Sequence, residues 1–145
     1  MEAQFAIDRR LGRLVELFED DARFRPRPIR LDRDDAVAID DPVIFCEHKF
    51  LYYHLKAEAL PTAAMPTGRA RIARAGRDLT IVAYSAMVHE ALAVAEDLAS
   101  EGIEVEVVDL RTIKPLDTDT IMASVARTGR LLAVGEAFPW GGVTA

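Results

Sequence analysis

A single cysteine, Cys46, in 145 residues leaves nothing from which an internal disulfide framework could form, and fits a reducing cytoplasm. No apolar run approaches the roughly 18 residues needed to cross a bilayer, so no membrane contact is expected. The first residues, Met1-Glu-Ala-Gln-Phe5, are acidic and polar where a secretory leader would be basic and then apolar. Excess positive charge is also missing. Eighteen basic residues against 24 acidic ones give a net charge of −6, which argues against a generic nucleic-acid partner. Glycine is missing where a nucleotide site would need it. The turn after the first central strand reads Tyr84-Ser85-Ala86-Met87-Val88-His89, with no glycine and no Lys-Ser or Lys-Thr pair to cradle a phosphate.

What is present is an alternation of strands and helices. Half of the residues are hydrophobic, enough for a core. Leu79 to Tyr84 reads as a buried strand, and Ser85 stands where a helix N-cap belongs. Val88, Ala91, Leu92, Ala95, Leu98 and Ala99 mark one helical face, which Gly102 ends. Ile103 to Leu110 forms the next strand. Asp117 caps a second helix expected to bury Ile121, Met122 and Val125, with Gly129 as its stop. Leu131 to Val134 is a further strand. Strands and helices joined by short turns imply right-handed crossovers and parallel pairing. Gly68 to Arg74 alternates small or apolar residues with arginines and suggests an edge strand, and Gly76-Arg77-Asp78 a turn.

The N-terminal part differs. Leu11, Leu14, Val15 and Phe18 fall at helical spacing, with Asp8 placed to cap that helix. The arginine- and proline-rich run 23–30 reads as a solvated linker rather than a phosphate-binding patch, because acids crowd both sides. Asp41-Pro42 is a turn signal before Val43-Ile-Phe-Cys46, a short apolar strand. Residues 61–68, with two prolines and a glycine, read as a connection between structural units.

Ligands of open α/β sheets gather outside the carboxyl ends of the parallel strands. Three such ends can be named: Tyr84-Ser85, Asp109 to Thr112, and Gly135-Glu136. Arg111 and Glu136 are the charged candidates there, and Thr112 adjoins the first. Glu136 has no capping duty to explain it, and exposed polar residues on such loops are common contact sites. Ser85 lacks the glycine-flanked elbow of a hydrolase nucleophile, so a cap role suffices. Cys46 and His48 can share one face of a strand, but two ligands are too few for zinc. A buried structural cysteine is the expectation. His89 reads as a surface or packing residue, with no second catalytic group beside it.

At these residues the chain resembles the β subunit of the thiamine-diphosphate-dependent 2-oxo acid dehydrogenases, the decarboxylating component of the pyruvate, branched-chain 2-oxo acid and acetoin complexes. The matching stretches are Asp41 to Lys49, Gly76 to Tyr84, Met87 to Leu92, Val108 to Asp117, Thr128 to Leu132, and Glu136-Ala137, in the family's order over about residues 40–145. The resemblance implies three parts. Residues 1–40 are a non-family segment and linker. Residues 41–68 are the last strand of a pyrimidine-binding domain plus its connection. Residues 69–145 are a three-layer α/β, mostly parallel, transketolase C-terminal-like domain that the family continues beyond Val143. It further implies oxidative decarboxylation of a 2-oxo acid and acyl transfer to a lipoyl domain by a cytoplasmic multienzyme complex. The cofactor would be thiamine diphosphate in the assembled enzyme. The partners would be an α subunit, a second β subunit and a lipoyl acyltransferase core.

Glu47-His48-Lys49 and the 56–61 run look closer to branched-chain-type subunits. The family's activating glutamate and cofactor pocket have no counterpart in residues 1–40, so no catalytic, cofactor or metal residue is carried over. Arg111, Thr112 and Glu136 remain as interface candidates. The chain is then expected to be inactive alone, to bind the cofactor no better than millimolar, and to expose apolar surface and a strand edge. A non-catalytic interaction module derived from the same family is the alternative. A small-ligand-binding domain of flavodoxin type is disfavoured by the missing glycines.

Overall fold

A computed structural model describes residues 40, 42–54, 66–138 and 140–144. The expectations for the helix around Leu11 to Phe18, the 23–30 linker, the turn at Asp41 and the 55–65 stretch lie outside the described residues.

The described elements are, in order, α1 (Lys49–His54), β1 (Arg71–Arg74), β2 (Leu79–Ala83), α2 (Ala86–Ser100), β3 (Val105–Asp109), α3 (Thr118–Thr128) and β4 (Leu131–Ala133). The four strands form one sheet in the order β1-β3-β2-β4. β2 and β3 pair in parallel, Leu79 opposite Val105 through Ala83 opposite Asp109. β2 and β4 also pair in parallel, Thr80 opposite Leu131 through Val82 opposite Ala133. The parallel pairing expected from the β-α-β pattern is therefore present. β1 runs antiparallel to β3 at one edge, with a bulge between Ile72 and Arg74.

Strand side chains alternate between faces, so β2 and β3 serve two layers at once. Leu79, Ile81, Ala83, Val105 and Val107 pack with Val88, Ala91, Val94, Ala95 and Leu98 of α2. Burying each larger aliphatic side chain here contributes about 1.5–3 kcal/mol. Val82, Val108 and Leu110 face the other way, toward Ala70, Tyr84 and Ile121. The result is helix, sheet, helix: a three-layer α/β sandwich with a mostly parallel sheet. Gly76 permits the β1–β2 turn to pass over β3, since a Cβ there would collide with the backbone of Glu104, Val105 and Glu106.

Four local expectations change. Val43 to Cys46 is irregular and exposed, Ile44 at 91%, and forms no strand. A strand needs a neighbour for its backbone groups, and no described strand runs beside it. Cys46 is accordingly exposed rather than buried. On α3 the buried residues are Ser124 and Thr128, while Met122 is 64% exposed. These buried residues are polar because they meet Thr80 and Glu106, while Ile121 beside them packs on Val82, Val108 and Leu110. Ser85 does occupy the N-cap position of α2, but its hydroxyl makes no capping bond. One residue must turn the chain from β2 into α2, and that forces Ser85 to φ 55, ψ −130. Asp117, by contrast, caps α3 as expected, accepting from the backbone N–H of Thr120 at 3.1 Å. Gly129 ends α3 in the left-handed conformation.

Candidate functional site

The parallel strands β2, β3 and β4 end on one edge of the sheet, and that edge collects the three candidates. At the end of β3, Asp109 is buried, with Arg71 Nη2 of β1 at 3.5 Å from its Oδ2. Burial pushes the Asp109 carboxyl up from the ordinary aspartate range. The guanidinium groups of Arg111 and Arg71 and the Arg111 backbone N–H pull against that rise. Arg111 turns out of the strand at φ 57, so two non-glycine residues, Ser85 and Arg111, hold left-handed backbone at adjacent strand ends. Such conformations cost on the order of 1–3 kcal/mol each.

The loop from Leu110 to Asp117 grips the chain that leads into β1. Thr112 Oγ1 accepts from the backbone N–H of Gly68 at 3.1 Å, and Asp117 Oδ2 accepts from Ala70 N–H at 2.9 Å. Gly68 is required here, because a Cβ would sit 2.8 Å from Pro115 Cγ. The Ala70 N–H, then the Thr120 hydroxyl and N–H, hold the Asp117 carboxyl below its usual range. The Thr112 hydroxyl thus has an internal role in joining the connection to the domain.

At the end of β4, Glu136 Oε2 lies 2.8 Å from His48 Nε2. The pair joins the segment before the domain to the loop after β4. It also supplies the role for His48 that a Cys46–His48 metal reading did not. Among the described residues, no three His, Cys, Asp or Glu side chains are placed to hold a metal ion. None of the described helices is long and apolar enough to cross a membrane. His89, on α2, is buried, and burial with the nearby Arg71 charge lowers its pKa from 6.5 to about 4. It stays neutral near pH 7, a packing residue.

Beside these ends lies an apolar hollow of about 140 Å³, lined by Val82, Tyr84, Leu110, Ile121, Leu131 and Val143 among others. Its lining carries no charged group. The pairing of half-exposed Arg71 with buried Asp109 was not anticipated. It depends on Arg71 standing opposite Asp109 in an antiparallel register that periodicity does not reveal. Arg111 and Glu136 reach the same edge of the sheet.

The layers and the edge define a three-layer α/β domain with Asp109, Arg111 and Glu136 at the ends of its parallel strands. Residues 68–145 match the transketolase C-terminal domain, and the chain belongs to that family. Among curated proteins, the β subunit of the acetoin:2,6-dichlorophenolindophenol oxidoreductase of Cupriavidus necator is 56% identical over 105 residues, which is 72% of this chain and 31% of the relative. The β subunit of the pyruvate dehydrogenase E1 component of Bacillus subtilis is 47% identical over 111 residues, 76% of this chain and 34% of the relative. A solved split-gene transketolase, described as an inactive β4 tetramer, superposes with a TM-score of 0.56 at 33% identity, over 61% of this chain and 29% of that one. The chain spans about a third of the length of these curated relatives.

Proposed function

We propose that this chain is part of the β subunit of a 2-oxo acid dehydrogenase decarboxylating component, and that it scaffolds assembly rather than chemistry. The observation that carries this reading is the 56% identity to the acetoin-oxidoreductase β subunit, which extends beyond residues 68–145 into the connection. In the assembled enzyme the cofactor is thiamine diphosphate. The described residues do not fit it: the hollow at the strand ends has no charged lining with which to hold a diphosphate. No step of the reaction is therefore assigned to them.

The role left to the chain is docking. Arg111 and Glu136 lie on the edge offered to an α subunit and a second β subunit, with Thr112 bracing that edge through its bond to Gly68, and the assembled enzyme passes its acyl group to a lipoyl acyltransferase core. Residues 41–68 serve as the connection and 69–145 as the docking domain, in the cytoplasm. For substrate, the identity to the pyruvate enzyme outweighs the branched-chain wording of Glu47 to Lys49, so a pyruvate type is proposed, with the related acetoin-cleaving type, whose hydroxyketone substrate loses no carboxylate, as the second reading.

Co-expression with the α subunit of an acetoin or pyruvate dehydrogenase, followed by size-exclusion chromatography, tests the reading. Co-elution that is weakened by Arg111→Ala or Glu136→Ala supports it. Micromolar binding of thiamine diphosphate by the chain alone, seen by calorimetry, overturns the scaffold role. Failure to co-elute with either α subunit overturns the assembly role and leaves the non-catalytic module.

A further inference from the structure

We infer that Asp117 is a joint: one carboxylate starts α3 and seats the chain entering β1, so that the two are held, and released, together. This holds for the chain by itself. Its consequence in a β subunit, that movement of the connection reaches α3 directly, rests on the reading above.

The entry to β1 is held by its backbone. Three successive amides donate: Gly68 to Thr112 Oγ1 at 3.1 Å, Arg69 to the Pro66 carbonyl at 3.3 Å, and Ala70 to Asp117 Oδ2 at 2.9 Å. Two of the three acceptors are side chains of the loop between β3 and α3. The ladder of β1 with β3 begins only at Arg71, opposite Asp109. Placement of the residues just before it therefore falls to Thr112 and Asp117, which read backbone groups and so act whatever side chains stand at 69 and 70.

The same carboxylate faces α3. Oδ1 accepts from the Thr120 N–H at 3.1 Å, and Oδ2 accepts from the Thr120 hydroxyl at 2.7 Å. A helix N-cap needs one side-chain oxygen for the first turn. Here the second oxygen also reaches Ala70, 47 residues earlier in the chain. The Ala70 N–H does most to hold the carboxyl below its usual range, ahead of the Thr120 hydroxyl and N–H, and the Arg69 charge adds to them. The contact with the connection is thus no by-product of the cap. Hydrogen bonds to an ionised acceptor are the stronger kind. Both sets of bonds need the same rotamer of the same buried side chain. Whichever set is made fixes that rotamer and spares the other the ordering entropy, and this is the source of the coupling.

Amide-resolved hydrogen exchange on the full chain tests the joint, with Ile81 and Val107 of the central strands as internal reference. Asp117→Ala should speed exchange at both Ala70 and Thr120 roughly 10- to 100-fold, the range of a hydrogen bond to a charged group, and the reference amides by less. Asp117→Asn offers one acceptor oxygen in place of two, so one of the two amides should keep its protection while the other loses it. Thr112→Val frees Gly68 without altering Asp117, and Ala70 and Thr120 should follow by roughly two- to fivefold. Ala70 exchanging at its parental rate in Asp117→Ala overturns the seating of the connection. Full protection of both amides in Asp117→Asn, or an unmoved Thr120 in Thr112→Val, overturns the coupling. An equal rise at Ile81 and Val107 reduces Asp117 to general stability and overturns the joint. Should Asp117→Ala fail to fold, the pattern in Thr112→Val decides. Failure to co-elute with an α subunit bears on the assembly reading alone and leaves the exchange pattern as it is.

Discussion

The two faces of the sheet are built from different chemistry on the same two strands. On the α2 side, Leu79, Ile81, Val105 and Val107 meet a helix face of valine, alanine and leucine. On the α3 side, Thr80 and Glu106 are equally buried but meet Ser124, Thr128 and Arg127. The Thr80 hydroxyl lies 2.8 Å from that of Ser124 and 2.7 Å from that of Thr128. Ser124 donates to the Glu106 carboxylate, which Arg127 also engages. Apolar burial has no direction and holds α2 by area. A hydrogen-bonded set fixes position and rotation, so it holds α3 in one register while contributing less net free energy per group. The first face supplies stability and the second supplies placement, and α3 is the element that leads into β4 and Glu136.

The difference can be broken first on its apolar side. Leu98→Ala, which empties a fully buried position, should cost about 2–5 kcal/mol in urea unfolding. A cost below about 1 kcal/mol would mean that α2 is not the stabilising layer. Next, Glu106→Ala removes the carboxylate that both Ser124 and Arg127 engage and should cost about 1–3 kcal/mol. Replacing Thr80, Glu106 and Ser124 together with apolar residues of similar volume (Thr80→Val, Glu106→Met, Ser124→Ala) should recover most of that loss. If the combined variant is less stable than Glu106→Ala alone, the polar face is stabilising in its own right and the contrast fails.

A third expectation concerns a titratable side chain buried on α2. His89 is buried uncharged, with its pKa lowered from 6.5 to about 4 by burial and then by Arg71. The unfolded chain takes up the proton first on acidification. Stability from the neutral ring is therefore present above pH 6.5 and lost as pH falls toward about 4. Thermal melts across that window should flatten in His89→Phe, and an unchanged pH slope would remove His89 from the account. The smallest effect lies at the hinge into the α2 layer. Ser85→Gly relieves the φ 55 backbone and should stabilise by about 1 kcal/mol, read as a rise in the unfolding midpoint.

The apolar face was legible in the sequence because it obeys one period on the strands and another on α2. Leu79, Ile81, Val88, Ala91, Ala95 and Leu98 are named by spacing alone, and Asp117 and Gly129 by their chemistry at helix ends. The polar face was not legible. A period of apolar residues points to Met122, whereas α3 lies on Ser124 and Thr128. Their burial is dictated by hydroxyl and carboxylate partners on β2 and β3, and which groups meet is settled only by the fold. The same holds at the strand ends. Glu136 stood out as an acid without a local duty, but its partner His48 is distant in the chain. Arg71 meets Asp109 only through strand register.

The kink between Ile72 and Arg74 gives the sheet a direction for lateral growth. On that margin the ladder is interrupted, and two arginines lie within a strand of four residues. Uncharged β4 presents the opposite margin with Leu131 half open to solvent. The β1 margin is thereby the more protected against an added strand and the β4 margin the more receptive to one.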